Sequence, residues 1–297
     1  MLKDIYVTIC IPFYNAESTL LDAVRSVFAQ THESWELILI DDGSTDHSLK
    51  IAQSIADPRV TVYSDGKNRK LAGRLNQLVS IAKYDFIARM DADDLMAPNR
   101  IETLLEILVN NDKYDLASCG TYSIKNDGSF NGYRGADEQN YTFKGLIDKS
   151  QGFLHAGLIA RKSWYERNRY NELLPLGQDS DLWLRAAKLG DFRAISIKEP
   201  LYMYREEGNV TPQKLLQAYK LERNNHACMI DKKRDKLKYI TKSFVKSTVV
   251  KVMNITGTLD YLLHRRNRKD TSSEGIAQFN KLMTKISSTT IPGIDND

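Results

Sequence analysis

Over its first hundred residues the chain alternates short apolar, β-branched runs with stretches of helical period, and that alternation leaves few folds open. Tyr6 to Ile11 reads as a strand that stops at Pro12, and Ser18 to Ala29 carries Leu20, Leu21, Val24, Val27 and Phe28 at helical spacing. Trp35 to Ile40 is a second strand, stopping at Asp41-Asp42-Gly43-Ser44. The helix that follows, through Leu49, Ile51, Ala52 and Ile55, has Ser44, Thr45 or Asp46 as candidate cap. Val60 to Tyr63 is a third strand, Leu71 to Ala82 a helix, and Asp85 to Met90 a fourth strand. Strands joined by helices of this length require right-handed crossovers. The expected fold is therefore α/β, a doubly wound, mostly parallel sheet flanked by helices on both faces.

In such sheets ligands bind beyond the carboxyl ends of the strands. Three strands here end in polar or rigid residues at that rim: Pro12-Phe13-Tyr14-Asn15, Asp41-Asp42 and Asp91-Ala92-Asp93. The last lies in FIARMDADDLMAP, Phe86 to Pro98, where Asp91, Asp93 and Asp94 crowd three carboxylates into four positions. Like charges this close repel, and a fold keeps them together when something positive neutralises them. Alternate residues on an extended chain point the same way, so Asp91 and Asp93 can face one ion. Oxygen-only ligands suit Mg²⁺ or Mn²⁺ beside phosphate oxygens. Alone, an acidic triplet is a solvated turn capping the helix near Pro98, and Asp94 can be only that. The strand before it and the helix after it favour a metal-diphosphate site. A nucleotide fits the rest of the rim, with Tyr14 as an aromatic face and Asp42 as an acceptor for an imide or ribose hydroxyl. Neither GxGxxG nor GxxxxGK[ST] occurs, which counts against dinucleotide oxidoreductases and P-loop enzymes.

Beyond Asn110 the alternation weakens. Leu116 to Ile124 reads as a strand and Asn126-Asp127-Gly128-Ser129 as a hairpin turn, while the stretch to Gly177, rich in Tyr, Lys and Gly, has no clean period. His155, between apolar residues in FLHAGLIAR, reads as a hydrogen-bonded core histidine. Gln178-Asp179-Ser180-Asp181 opens a short helix closed by Gly190, where either Asp suits the helix start. Net charge is only +4, but residues from Pro212 onward hold 17 Lys/Arg against 8 Asp/Glu, leaving the first 211 at −5. In that basic, mainly helical region Ile240, Phe244, Val245, Val249, Val252 and Met253 recur near helical spacing, with Lys242, Lys246 and Lys251 interleaved. It suits either packing on the catalytic domain or a peripheral contact with an anionic membrane. Nucleic acid is disfavoured, because no binding motif is visible and aromatic interleaving is sparse. Three cysteines without metal-ligand spacing, no signal-like N-terminus and no run of about 18 apolar residues lead to the expectation of a cytoplasmic protein, at most at the inner face of the cell membrane.

Three segments, VTICIPFYNAESTLLDAVRSVFAQTHESWELILIDDGSTD, the DADD run and GQDSDLWLRAAKLG, lie in an order and at a spacing that resemble family 2 glycosyltransferases of the GT-A fold, over about residues 5 to 205. The resemblance implies a GT-A-type sheet with a helical C-terminal extension, a UDP-sugar donor, a divalent metal (Mn²⁺ or Mg²⁺) and inversion at the anomeric carbon. It divides the chain into a catalytic domain, 1–211, with a nucleotide-binding half (1–100) and an acceptor half (101–211), and the basic region 212–297. Carried over residue by residue, it makes Pro12, Tyr14, Asp42, Arg69 and Asp91 donor-binding, Asp93 the metal ligand and Asp179 the catalytic base, with Asp181 a helix cap. Two departures stand out. Gln178 replaces a common Glu, and Glu207 stands where relatives carry a metal-binding His after the Tyr-Arg pair, here Tyr204-Arg205. The expected activity is metal-dependent hexosyl transfer to a hydroxyl of a glycan or lipid-linked saccharide, in bacterial surface polysaccharide synthesis. The rivals are a sugar-phosphate nucleotidyltransferase, for which PFYNAES lacks the glycine-rich phosphate loop, and a glycan-binding module that has lost turnover, against which Asp93 and Asp179 argue.

Overall fold

The computed structural model describes residues 2–206, 211–258 and 271–295. Its strands are β1 (Val7–Phe13), β2 (Trp35–Asp41), β3 (Val60–Tyr63), β4 (Phe86–Arg89), β5 (Leu95–Met96), β6 (Leu116–Ile124), β7 (Phe130–Arg134), β8 (Ile159–Arg161) and β9 (Ala194–Arg205). They form one sheet in the order β3-β2-β1-β4-β8-β6-β9-β5, with β7 on the side of β6. The first four run parallel; β8 is antiparallel to both β4 and β6, and β9 returns parallel to β6. The two longest ladders, β1 on β2 and β6 on β9, are both parallel.

The period of two along the central strands builds two cores. Ile9, Ile11, Leu37 and Leu39 face α1 (Leu20–Phe28) and α4 (Arg100–Val109). Cys10, Ile38, Ile40 and Ile87 face α3 (Lys70–Ile81), α6 (Lys162–Arg167) and α7 (Gln178–Lys188). Every residue of β1 and β2 is buried, as strands covered on both faces must be. Two boundaries differ from expectation: the second helix begins at Ser48 with His47 as its N-cap, not after Ser44, Thr45 or Asp46, and β1 runs through Pro12 to Phe13, which pairs with Asp41. Pairing with β4 ends at Cys10, so the N–H that Pro12 lacks has no neighbouring strand to serve.

The remaining helices are α2 (Ser48–Gln53), α5 (Phe143–Ile147), α8 (Pro212–Leu221), α9 (Lys233–Ile255) and α10 (Ser273–Ser287). α8 and α9 pack together around Leu215, Tyr219 and Val250. Ion pairs from Lys149 to Glu222 and from Lys188 to Asp231 (2.6 Å) tie that pair to the segment after α5 and to α7. α10 lies elsewhere: Phe279 stacks beside Tyr122 and Phe130, Ile291 is wholly buried in the main core, and Asp295 pairs with Arg25 of α1 at 2.5 Å. Cys10 and Cys119 are buried and Cys228 is exposed, all three free. Among the described residues no helix is long and apolar enough to cross a membrane.

Candidate active site

The register of the parallel strands puts the rim residues side by side. Phe13 pairs with Asp41 and Cys10 with Arg89, so Tyr14, Asp42 and Asp91 each lie one or two residues past a paired position. Asn15 takes a left-handed backbone (φ 50°), its amide donating to Ser44 Oγ while its side chain accepts from the Thr45 amide (2.8 Å). This tie between the β1 and β2 loops leaves the Tyr14 ring 51% exposed at the rim. Gly43, at φ 78° beside the Lys67 backbone, turns the chain away directly after Asp42.

Asp42 is buried and braced. Its Oδ1 accepts from the Arg69 amide (2.7 Å) and from Arg74 Nε (2.9 Å), while Oδ2 has no protein partner among the described residues. Arg74 is itself buried and also reaches Asp65 (2.7 Å) and Gln77 (2.8 Å). The backbone of Arg69 is thus at the rim, but its guanidinium turns to Asp65 at 2.6 Å and is half exposed.

At the end of β4 the carboxyl oxygens of Asp91, Asp93 and Asp94 lie within 4.8 Å of one another. Each is held differently. Asp91 accepts from buried Arg89 at 2.5 Å, and its amide meets the Tyr202 hydroxyl at 3.2 Å. Asp94 is buried and accepts from the Tyr202 hydroxyl (2.7 Å) and the Arg205 amide (2.8 Å). That position corrects the capping expectation for Asp94: α4 begins after Asn99, and Asp94 instead pins the turn to β9. Asp93 is exposed, with Arg205 Nε donating to its carbonyl (2.8 Å). Although Asp93 is open to solvent, the groups crowded around its carboxyl partly desolvate it, and this together with the Asp91 charge pushes it above the usual carboxylate range; burial, Asp91 and Asp93 do the same more strongly to Asp94. An all-oxygen cluster carrying more negative charge than Arg89 and Arg205 offset fits a hard divalent cation, with Asp93 open to it and Asp91 adjacent. Glu207, the other candidate ligand, lies outside the described residues.

Beneath the cluster Arg100 is fully buried and donates to three carbonyls, Gly157 (3.2 Å), Arg89 (2.8 Å) and Leu158 (3.0 Å). It therefore fixes the end of β4 to the chain entering β8. Arg74, Arg89 and Tyr202, which brace the carboxylates, and Arg100, which braces the backbone beneath them, were not singled out in the sequence. The legible signal was charge in apolar places: Arg74 among Ala72, Leu75 and Leu78 of α3, and Arg89 at the end of a buried strand.

Asp179 sits in the first turn of α7, whose N-cap Gly177 adopts φ 71°. It is half-buried and lines a 240 Å³ pocket with Gln151, Phe153 and Trp183, together with His226 and Tyr239 of the C-terminal region. Neither Asp makes a side-chain cap; Asp181 is buried and bonds Arg185 at 2.8 Å, which corrects its expected role. His155 is a core residue: its Nε2 meets the Tyr170 hydroxyl at 2.7 Å and its ring lies 5.5 Å from Trp183. Burial, with Arg89 nearby, holds its pKa well below the usual 6.5. Tyr170 feels the charges of both Arg89 and Asp179, so the layer that holds it is within electrostatic reach of both the Asp91 and the Asp179 sites.

With this geometry in place, comparison with known proteins is direct. The profile of "Glycosyl transferase family 2" matches residues 8–174, more than half of the chain. The chain belongs to this family. EpsE of Bacillus subtilis (strain 168), named as a glycosyltransferase, is 33% identical over 210 residues, covering 68% of this chain and 74% of EpsE. The Escherichia coli enzyme UDP-Glc:alpha-D-GlcNAc-diphosphoundecaprenol beta-1,3-glucosyltransferase WfgD is 31% identical over 131 residues, covering 44% of this chain and 51% of WfgD. Staphylococcus aureus TarS 1-349, solved with UDP-GlcNAc, superposes with a TM-score of 0.60 at 15% identity, over 81% of this chain and 72% of TarS. The mannosyltransferase PcManGT from Pyrobaculum calidifontis, solved with GDP-Man and Mn²⁺, gives 0.56 at 15% identity, over 95% of this chain and 84% of its own. The fold is thus GT-A-like, with a curled α/β sheet and a helical C-terminal region. The family match ends five residues before Asp179, so the first-turn Asp of this family 2 glycosyltransferase rests on its own geometry.

Proposed function

We propose that the chain transfers a hexosyl group from a UDP-sugar to a hydroxyl of a glycan or lipid-linked saccharide, with inversion, in bacterial surface polysaccharide synthesis. The observation that carries this reading is the braced rim: an exposed aromatic, a buried carboxylate with one open oxygen and a carboxylate cluster, at the ends of three adjacent parallel strands. The UDP-GlcNAc bound to TarS and the UDP-Glc named as the donor of WfgD support UDP as the nucleotide. In this reading Pro12 and Tyr14 bear on the base, and Asp42 on its imide or ribose. Arg69 stabilises the Asp42 turn through its amide, and Asp91 bears on the ribose and diphosphate. Asp93, with Asp91 and Glu207, would hold Mn²⁺ or Mg²⁺, which supplies charge neutralisation to a leaving diphosphate.

Asp179 takes the proton of the acceptor hydroxyl as that oxygen attacks the anomeric carbon. The new glycosidic bond forms while the bond from that carbon to the β-phosphate oxygen breaks, and the electron pair leaves with UDP. Residues 1–211 act as the catalytic unit in this scheme. The basic residues of 212–297 bring it to an anionic membrane from the cytoplasmic side. The test is a panel of nucleotide sugars assayed for UDP or GDP release, each with and without Mn²⁺. Metal-stimulated release from a UDP-sugar is expected; release from GDP-sugars alone overturns the nucleotide assignment.

A further inference from the structure

α9 is built inside out for a surface helix. Ser243, Ser247 and Val250 face inward, with Ser247 accepting from Arg223 at 2.8 Å, while Phe244, Val245, Val249 and Val252 are 41–58% exposed. An ordinary amphipathic helix does the reverse. Within the exposed surface, Lys238, Lys242, Val245, Val249 and Val252 recur every three or four residues and so form a single stripe, basic at its start and apolar beyond.

The basic end of that stripe lines a groove of about 590 Å³ between α5 and α9. Five cations, Lys144, Lys232, Arg234, Lys238 and Lys242, line it against two carboxylates, Asp148 and Asp235. Among the described residues only Arg234 of these five pairs with a carboxylate, Asp235 at 3.7 Å. The groove shares Ile147 and Tyr239 with the pocket of Asp179. The Tyr239 hydroxyl is buried there without a hydrogen-bond partner. Three surfaces therefore follow one another: a carboxylate pocket, a basic groove and an apolar stripe, the last extending about 10 Å from Val245 to Val252 at 1.5 Å per residue.

We propose that this run binds an acceptor saccharide joined through phosphate or diphosphate to a lipid, with the sugar at Asp179, the phosphate in the groove at Lys238 and Lys242, and the hydrocarbon along Val245, Val249 and Val252. The assignment rests on Asp179 being the transfer site. The order of the surfaces selects the ligand. A nucleic acid has no use for the valines, and a second copy docking two-fold on this face would set Lys238 and Lys242 against the partner's valines or against its lysines, with no anion to pair them. Lysines serve phosphate as point charges, and exposed apolar surface of this kind marks an interaction site.

Farnesyl diphosphate, titrated into the full chain by calorimetry in EDTA, tests this away from any metal-diphosphate contact. It should bind at least about tenfold more tightly than either farnesol or inorganic pyrophosphate, since both halves of the stripe contribute. The double variant Lys238→Glu/Lys242→Glu should weaken binding by about 30-fold, and Val245→Ser/Val249→Ser should bring it toward the pyrophosphate value. UDP binding and thermal midpoint report that each variant is folded. Equal affinity for pyrophosphate, or binding that ignores both variants, overturns the proposal. So does loss of binding to phosphatidylglycerol vesicles without loss of farnesyl diphosphate binding, which would make α9 a general anchor. UDP-sugar hydrolysis by the same preparation separates the two levels. Hydrolysis without farnesyl diphosphate binding overturns this assignment alone, and no hydrolysis of any nucleotide sugar overturns the transferase reading beneath it.

Discussion

The two carboxylate sites are held by opposite strategies. At the strand rim three acidic groups are anchored by buried partners: Asp42 by Arg74, Asp91 by Arg89, and Asp94 by Tyr202 with the Arg205 amide. At α7, Asp179 has no side-chain partner among the described residues, and its pocket is walled by irregular segments and by residues from beyond Pro212. The difference suits a rim that meets an invariant group, a nucleoside diphosphate, and a second site that meets a variable one. A pre-formed rim loses little on binding, because the charged groups need no reordering.

The sharpest way to break the comparison is at its two open carboxylates. Asp179→Asn should bind UDP-sugar with nearly unchanged affinity, measured by calorimetry, and lose transfer by about two to four orders of magnitude. Loss of donor binding together with transfer would move Asp179 to the donor side and erase the division. Asp93→Asn should lose the Mn²⁺-stimulated part of donor turnover, about 10²–10³-fold, with the thermal midpoint unchanged because this carboxylate is exposed. If the variant still needs Mn²⁺ at near-normal rates, the ion is held elsewhere.

A smaller effect probes the bracing itself. Arg74→Leu leaves Asp42 buried with only the Arg69 amide as donor, and breaking a buried pair this way costs about 3 kcal/mol. Urea unfolding should show that loss, with a raised donor KM and little change in kcal-scale terms at Asp179. A variant of full stability and normal KM would make the Asp42 brace incidental.

The contrast also explains what could be read before the structure. The donor half was legible almost residue by residue, because β1 to β4 and their helices impose periods of 2 and 3.6 and the rim residues fall where the periods stop. The turn between β6 and β7 was equally plain, since Gly128 sits at φ 81° where the hairpin needs it. The braces were not legible, because Arg74 meets Asp42 across 32 residues and Tyr202 meets Asp94 across 108, pairings that no local pattern encodes. The Asp179 pocket was legible only as a helix start. His226 and Tyr239 reach it from a region whose composition spoke of charge alone, and the apolar face of α9 was visible as a stripe without a sign of which way it turned.

The smallest effect concerns the layer between the two sites. His155 is buried against Tyr170 and Trp183, and its pKa is held well below the usual 6.5 by burial first and by Arg89 second. The folded state therefore keeps this ring neutral where the unfolded chain would already protonate it. Below about pH 6.5 the unfolded state binds the extra proton, so stability is full above that value and falls as the pH drops toward the folded pKa. The limiting slope for one such proton is about 1.4 kcal/mol per pH unit. His226, depressed mainly by burial, adds in the same direction. Urea unfolding at pH 7.5, 6.5 and 5.5, compared with His155→Gln, isolates the term, since glutamine can still bond the Tyr170 hydroxyl but does not titrate. The variant should lose less stability than the parent between pH 6.5 and 5.5, by about 1 kcal/mol. If the two slopes match, His155 is protonated in the fold and paired, and the layer joining the donor rim to Asp179 carries a charge rather than a neutral hydrogen bond.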